Sequence, residues 1–532
     1  MTAPSQFADF CRLAVDGGLV AVTETVSADL LTPLSAYLRI AEGASRSFLL
    51  ESVEGGEHLA RYSFLGASPA MVVRSSHGVT TVEDAAGVHT VEGTAVDVLR
   101  RELAGRKLSA PENTAPMAGG CVGYLSYSAS RWFDSAMQSV DGPGDEACFL
   151  IFRTVLAFDH ARQQIQIRTL AEVEPNTEGD AAYVGGKSTT PLKPKEGLNG
   201  APVHTQAHSA ALRRAYDAAV EANRAVVQKL SAAARLPLKP VALAGVGEAE
   251  FESNFTRAEF ERAVAEGKEL IYAGECFQIV LSQRFTRRTT ANAVALYRAL
   301  RATNPSPYMF LLNLGPEADG APPRALIGAS PEMLVRCRGR QLTYRPIAGT
   351  RPRGSSAEED ARLADELLAD EKERAEHMML VDLGRNDLGR VARYSTVEVA
   401  RLMTVEKYSH VQHLVTELHA ELRPELDRFD ALGACFPAGT VTGAPKIRAM
   451  QGIAELERGP REAYSGAVLY ADYAGNLDSC ITIRTVELCG DRISVQAGAG
   501  IVADSVPATE FEETVNKSRA LRRAVALAEA EA

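Results

Sequence analysis

The apolar positions of this chain change rhythm along its length. Over the first third they fall in short runs or in alternation, separated by glycine-containing turns. SFLLESVEG, YSFLGASP and AMVVRSSHGVTTVED each predict strands. CFLIFRTVLAFDHARQQIQIRTL predicts a hairpin turning near Asp159 and His160. The next stretch, AEVEPNTEGDAAYVGGKSTTPLKPKEGLNGAP, has no period; rich in Gly, Pro, Thr and Lys, it reads as a linker or insertion. An alanine-rich helix, HSAALRRAYDAAVEANRAVVQKLSAAA, follows, and a proline-containing break lies near LPLKPVALAG.

From about residue 250 the pattern is denser. TRAEFERAVAEGKELIYAGE opens on a capping box, Thr256 with Glu259, and predicts a helix; CFQIVLSQRF then predicts a strand. Helix and strand signals continue to a C-terminal helix, ATEFEETVNKSRALRRAVALAEA, where Thr509 and Glu512 predict a second capping box. These breaks divide the chain into an N-terminal region (1–190), a linker with a helix (191–250) and a dense region (251–532). Periodicity alone supports a mixed α/β chain with many strands.

Composition narrows the class. The chain has 532 residues, 46% hydrophobic and 23% charged, as expected of a soluble globular protein large enough for several domains. It has no apolar run long enough for a membrane span, and its start, MTAPSQFADFCRLAVDGG, lacks the basic and apolar parts of a secretory signal. Eight cysteines without a CxxC pair point to reduced thiols and a cytoplasmic protein. A net charge of -11 argues against nonspecific nucleic-acid binding. An anionic substrate would need local positive charge or a metal to draw it in against that field.

Several segments carry candidate chemistry. Glu373 and Glu376, and again Glu510 and Glu513, are spaced to share a helix face, with Lys517 one turn beyond the second pair. Such pairs are either a solvated helix face or oxygen ligands for a hard cation. VQAGAGIVAD places Gly498 and Gly500 at a strand end, and FPAGTVTGAPKIRAM places Gly439, Gly443 and Pro445 just before a helix, with the proline at a first-turn position. Each is either a plain turn or a backbone cradle for a small anion. The second is not a Walker A loop, because Lys446 does not directly follow the glycine and is not itself followed by Ser or Thr. GGCVGY fits a cysteine nucleophile elbow and His419-Ala420-Glu421 a His-x-Glu, but they lie farther apart than a compact glutaminase domain allows, so Cys121 reads as a buried thiol.

Together the segments GECFQIVLSQRF, NPSPYMFLL, GASPEMLV, RPIAGTRPRG, LLADEKERAEHMMLVDLGRNDLGRV, HVQHLV, FPAGTVTGAPKIRAM, AYSGAV, ITIRT and QAGAGIVADSVPATEFEETVNK resemble, in order, the chorismate-utilising enzymes, and within them the anthranilate synthase large components. The resemblance implies an α+β fold of large antiparallel sheets packed together and flanked by helices. It implies that ammonia attacks C2 of chorismate, the C4 hydroxyl leaves and pyruvate is eliminated, giving anthranilate for tryptophan biosynthesis. By motif, Glu376 and Glu513 would bind Mg²⁺, with Glu373 and Glu510 completing an acidic cluster. Tyr464 and Arg484 would hold the enolpyruvyl carboxylate; Gly349, Thr350, Gly498, Ala499, Gly500 and Lys517 would line the substrate site. Glu332 would be the general acid and His413 would assist proton transfer, with Thr350 beside them.

Two positions refine the reaction. The related aminodeoxychorismate synthases carry a nucleophilic lysine where this chain has Ala348 in PIAGT, and alanine leaves C2 open to ammonia. Isochorismate and salicylate synthases carry a lysine base where this chain has Gln278, whose neutral amide cannot activate water. LLES and NPSPYM resemble the family's feedback site and imply that Ser52, Pro307, Tyr308 and Met309 bind L-tryptophan as inhibitor. With no glutaminase triad in the chain, use of glutamine implies a separate glutamine amidotransferase subunit (component II); neither nucleic acid nor membrane is an expected partner. The alternatives are an aminodeoxyisochorismate synthase, the large component of an aminodeoxychorismate synthase, and a non-catalytic tryptophan-binding regulator.

Overall fold

A computed structural model describes residues 6–52, 61–110, 115–137, 142–175, 206–232, 247–317, 320–408 and 411–531. Most of the expected linker, and the proline-containing break near residue 240, lie outside this set. Two large, mostly antiparallel sheets dominate. The first runs, edge to edge, through Glu252–Ser253, Gln278–Arg288, Arg492–Ile501, Thr485–Cys489, Pro323–Ser330, Tyr308–Pro316, Ser47–Glu51, Tyr62–Ala67, Thr154–Asp159, Gln164–Val173, Gly18–Ser27 and Leu108–Ser109. The second runs through Ile347–Pro352, Val411–Glu421, Gln341–Tyr344, Met333–Arg338, Leu477–Ile481, Ala467–Asp472, Gly120–Leu125, Ala147–Phe152, Met71–Ser76, Val79–Asp84 and Gly87–Val91. Both sheets draw strands from residues 1–190 and from 251–532, and with the flanking helices they make the expected α+β fold.

Between the sheets lies one apolar core, with Phe48, Phe64 and Phe310 from the first and Val122, Tyr124 and Phe152 from the second. The outer face of the first sheet is covered by helices Pro33–Ile40, Ala293–Thr303 and Pro507–Glu531, and that of the second by Ala95–Ala104, Glu371–Gly389 and Arg428–Cys435. Central strands are thus apolar on both faces. This is why SFLL and CFLIF read as continuous apolar runs rather than alternating ones.

Three expectations need correction. CFLIFRTVLAFD is not one strand: the chain leaves the second sheet after Phe152 and enters the first at Thr154, and only the later part forms the expected hairpin, turning between Asp159 and Gln164. The C-terminal helix begins at Pro507, so Thr509 lies inside its first turn rather than capping it; proline suits a first helical position, since the N–H it lacks would have no helical acceptor there. Pro445 occupies the N-cap of Lys446–Leu456, one residue before the expected first turn. The Thr256–Glu259 capping box is present as expected.

Two further crossings between the sheets matter most. Pro331 and Glu332 carry the chain from the first sheet (Pro323–Ser330) to the second (Met333–Arg338). Residues 482–484 carry it back, from Leu477–Ile481 to Thr485–Cys489.

Candidate active site

These crossings and the edge strands around them enclose a cavity of about 230 Å³. Its wall includes Gln278, Glu332, Ala348, Thr350, Glu376, His413, Tyr464, Arg484, Gly498, Gly500 and Lys517, drawn from widely separated parts of the sequence. Glu332 follows Pro331, which has no N–H to continue the ladder of the strand before it. Its side chain is 6% exposed, and burial pushes its carboxyl up to about 8, against smaller opposing effects from Thr440 and Lys517. A group so placed is protonated at neutral pH and can act as an acid.

His413 and Thr350 are directly opposite on paired strands, and the ladder shifts register between Ala348 and Thr350. That bulge needs Gly349 at φ +69, a conformation glycine adopts without steric penalty. The Gly349 carbonyl oxygen lies 3.1 Å from His413 Nδ1 and the Thr350 hydroxyl 3.0 Å from it. A carbonyl only accepts, so Nδ1 carries the proton and Nε2 keeps its lone pair. Burial lowers the histidine's pKa, which keeps the ring neutral.

Arg484 has φ +52, uncommon for a residue with a side chain. It donates to the Lys517 carbonyl oxygen at 3.4 Å, which leaves other donors of its fork for a ligand. Burial lowers its pKa, yet a guanidinium stays charged in proteins. Lys517 Nζ donates to the Gly498 carbonyl oxygen at 3.0 Å and pairs with Glu513 at 2.6 Å. A Cβ on Gly498 would stand 2.7 Å from the Tyr464 hydroxyl, and one on Gly500 2.6 Å from the Gln278 amide nitrogen. Only glycine lets this strand lie so close to both. The cavity thus offers two cations and an open backbone to an anion, beside a protonated carboxyl and a neutral imidazole.

Ala499 is fully buried on the other face of its strand, among Phe260, Ile279 and Leu281, so its side chain is not part of the wall. Glu376 alone of the four glutamates lines the cavity, while Glu513 lines a neighbouring opening with Arg484 and Lys517. Burial, then the charges of Glu373 and Glu513, raise the pKa of Glu376, so the two helices do bring their carboxylates within repelling range. Among the described residues, however, no three His, Cys, Asp or Glu side chains are grouped so as to hold a metal ion. Glu373 is engaged by Arg351 at 3.0 Å and Glu513 by Lys517. The all-oxygen donor set fits a hard cation by its chemistry, and these side chains must turn from their present partners to meet around one.

Sequence reasoning did not single out Thr440 or Gln496. Thr440 lines the cavity with a buried hydroxyl beside the Glu332 carboxyl, whose pKa it lowers against the effect of burial. It lies in FPAGTVTGAP, a segment read for its glycines, and a hydroxyl that meets Glu332 only in the folded chain has no sequence signature. Gln496 donates to Ser282 at 2.9 Å. Cys121 is fully buried and its thiol is pushed up to about 12, which suits an inert core cysteine. All eight cysteines are free, and no helix among the described residues is long and apolar enough to cross a membrane.

A second cavity, of about 120 Å³, lies between the sheets. Its wall holds all four residues of the expected tryptophan site, Ser52, Pro307, Tyr308 and Met309. Met309 pairs with Glu51 across adjacent strands, which brings the two motifs together. The Ser52 hydroxyl is buried without a partner among the described residues, and the Tyr308 hydroxyl donates to Asp478 at 3.2 Å.

The first cavity sets two cations and an open backbone beside an acid and a neutral imidazole, and the chain belongs to the chorismate binding enzymes: that family's model matches residues 45–523. It is 41% identical to anthranilate synthase component 1 of Acetivibrio thermocellus over 96% of each chain, and 41% identical to that of Streptomyces coelicolor over 98% of this chain and 91% of the relative. The crystal structure of anthranilate synthase component I from Streptococcus pneumoniae superposes with a TM-score of 0.69 at 32% identity, covering 94% of this chain and 99% of that one. The menaquinone-specific isochorismate synthase of Escherichia coli, at 19% identity and a TM-score of 0.67, shares the fold.

Proposed function

We propose that the chain is the large component of an anthranilate synthase, converting chorismate and ammonia to anthranilate, pyruvate and water in tryptophan biosynthesis. The observation that carries this reading is the joint presence in one cavity wall of Glu332, His413, Ala348 and Gln278. Arg484, with Tyr464, receives the enolpyruvyl carboxylate; a guanidinium fork matches that group. Ammonia forms a bond to C2, the ring double bonds shift, and the C4–O bond breaks as the Glu332 carboxyl gives the departing hydroxyl its proton. Loss of the C2 proton, gain of a proton by the enolpyruvyl methylene and cleavage of the C3–O bond then release pyruvate. The neutral His413, with Nε2 free, assists that proton movement.

Ala348 and Gln278 decide what attacks. No amine projects from residue 348, and no base stands at 278 to activate water. Magnesium, held by Glu376 and Glu513 with Glu373 and Glu510 about it, would supply positive charge for the ring carboxylate. Glutamine serves as nitrogen source through a separate amidotransferase subunit. L-Tryptophan in the second cavity inhibits: the buried Ser52 hydroxyl suits its ammonium group, and Phe64 and Val468 suit a ring. A cytoplasmic location accords with the free thiols.

The test is turnover of the purified chain with chorismate, magnesium and an ammonium salt, with products identified by mass spectrometry. Equal amounts of anthranilate and pyruvate are expected, and glutamine should replace ammonium only when an amidotransferase subunit is added. Aminated chorismate accumulating without pyruvate would move the chain to the aminodeoxyisochorismate synthases. No conversion would leave a tryptophan-binding regulator.

A further inference from the structure

The two inter-sheet crossings are tied together by one side chain, that of Ser330. It is fully buried and ends the strand Pro323–Ser330, immediately before Pro331 and Glu332. Its hydroxyl donates to the Ile481 carbonyl oxygen at 2.7 Å and lies 3.4 Å from the Glu332 N–H, for which it is the acceptor. The Ile481 N–H donates in turn to the Glu332 carbonyl oxygen at 3.1 Å, and the Ala329 N–H to the Arg484 carbonyl oxygen at 3.1 Å. The crossing that bears Glu332 and the crossing that bears Arg484 are therefore held in one hydrogen-bonded unit, with the Ser330 hydroxyl at its centre. Nothing in that unit contributes an atom to the wall of the first cavity except Glu332 and Arg484 themselves and their neighbours Pro331 and Ile483.

The same unit borders the second cavity. Ser330 stands directly opposite Tyr308 in the paired strands, and residues opposite one another in an antiparallel pair project from the same face. The Tyr308 hydroxyl donates to Asp478, which also receives Arg336 at 2.8 Å. Asp478 and Cys480 line the second cavity three residues and one residue before Ile481, and Arg336 lines it four residues after Glu332. Cys480 pairs with Met333, so the segment after Glu332 and the segment before Arg484 are neighbours there too. Any shift of Tyr308 relative to Asp478 on filling that cavity must pull on both crossings. Packed cores do not absorb such a shift by smooth deformation.

We propose that Ser330 is a positioning residue: its hydroxyl sets Glu332 and Arg484 relative to each other and carries the state of the second cavity to them. This rests on the reading of the two cavities as chorismate and tryptophan sites. Because coupling between two ligands is reciprocal, it can be read from binding alone. Tryptophan affinity is measured by calorimetry with and without saturating chorismate, in the absence of any nitrogen donor, on the wild-type chain and on Ser330→Ala. Ser330→Cys, close in volume and a weaker donor, serves as second variant should the alanine chain fail to fold, as judged by its thermal midpoint.

For the wild type the two affinities should differ by about fivefold or more, the usual lower range of such coupling. In the variant, tryptophan alone should bind within about threefold of wild type while the ratio falls below about two, and kcat should drop about tenfold with KM changed less than about threefold. A merely structural role would weaken tryptophan binding or the thermal midpoint and leave the ratio intact. A variant that keeps the wild-type ratio overturns the proposal alone. A wild-type chain that turns over chorismate yet binds no tryptophan overturns the reading of the second cavity, and the proposal with it.

Discussion

The two cavities are built from opposite kinds of backbone. The second is walled mostly by paired strands: Ser47–Glu51 against Tyr308–Pro316 on one side, and Met333–Arg338, Leu477–Ile481 and Ala467–Asp472 on the other, with a register shift at Met333 and Val335 that lies away from its lining. The first is built where regular pairing stops, at the Pro331–Glu332 crossing, at the Gly349 bulge and at Arg484 with its positive φ. Regular strands hold a site at fixed width and suit a ligand that wedges between sheets. Irregular backbone costs energy that the surrounding packing must supply, and in exchange aims single side chains at one point. This contrast teaches that damage to the first cavity should change chemistry steeply, while damage to the second should change binding by amounts typical of single contacts.

The steepest break is Glu332→Gln. Loss of a positioned general acid should lower kcat roughly 10²- to 10⁴-fold. With the carboxyl pushed up to about 8, the acid form dominates below that pH and declines tenfold for each unit above it. Turnover at saturating free ammonia should therefore fall as pH rises past about 8 in the wild type. That alkaline limb should vanish from the residual activity of the glutamine variant; a limb that persists there would assign the titration to another group.

Gly498→Ala comes next. The added methyl would meet the Tyr464 hydroxyl at 2.7 Å, so either the strand or the ring must shift. Misplacement on this scale costs about 10² in kcat/KM, and tryptophan binding should be unaffected because the second cavity shares neither residue. An alanine variant with wild-type kinetics would show that substrate does not use the close approach of strand and tyrosine.

Legibility in the sequence follows the same division. Regular elements announce themselves: the Thr256–Glu259 cap, the Glu373–Glu376 and Glu510–Glu513 spacings, and the apolar runs of the central strands are all local patterns that the fold realises. The motifs of both cavities were recognisable only by resemblance, because Glu332 in GASPE or Ser52 in LLES has no local mark of function. What stayed hidden is what depends on the other sheet. The switch of sheets at Arg153 interrupts a run whose residues are apolar on both sides of it. The turning of Ala499 away from the cavity follows from strand alternation only once the facing helix is known. The approach of the Thr440 hydroxyl to Glu332 and the clasp made by Ser330 exist only in the assembled structure.

The mildest test addresses the second cavity. The Ser52 hydroxyl is buried and has no hydrogen-bond partner among the described residues, a condition that costs free energy unless a ligand supplies one. Binding of the tryptophan ammonium would satisfy it, and removing the hydroxyl forfeits that bond without leaving another group unpaired in the free protein. A single hydrogen bond of this kind is worth about 1–1.5 kcal/mol, so Ser52→Ala should weaken inhibition about 5- to 15-fold. Turnover without tryptophan should change far less, since Ser52 lies in the wall of the other cavity only. The inhibition curve of the variant, measured beside its kcat in the absence of tryptophan, separates the cases. An unshifted curve would mean that tryptophan does not reach this hydroxyl. A parallel loss of turnover would mean that the wall of the second cavity is not mechanically separate from the first, and would strengthen the case that the Ser330 clasp joins them even when no tryptophan is bound.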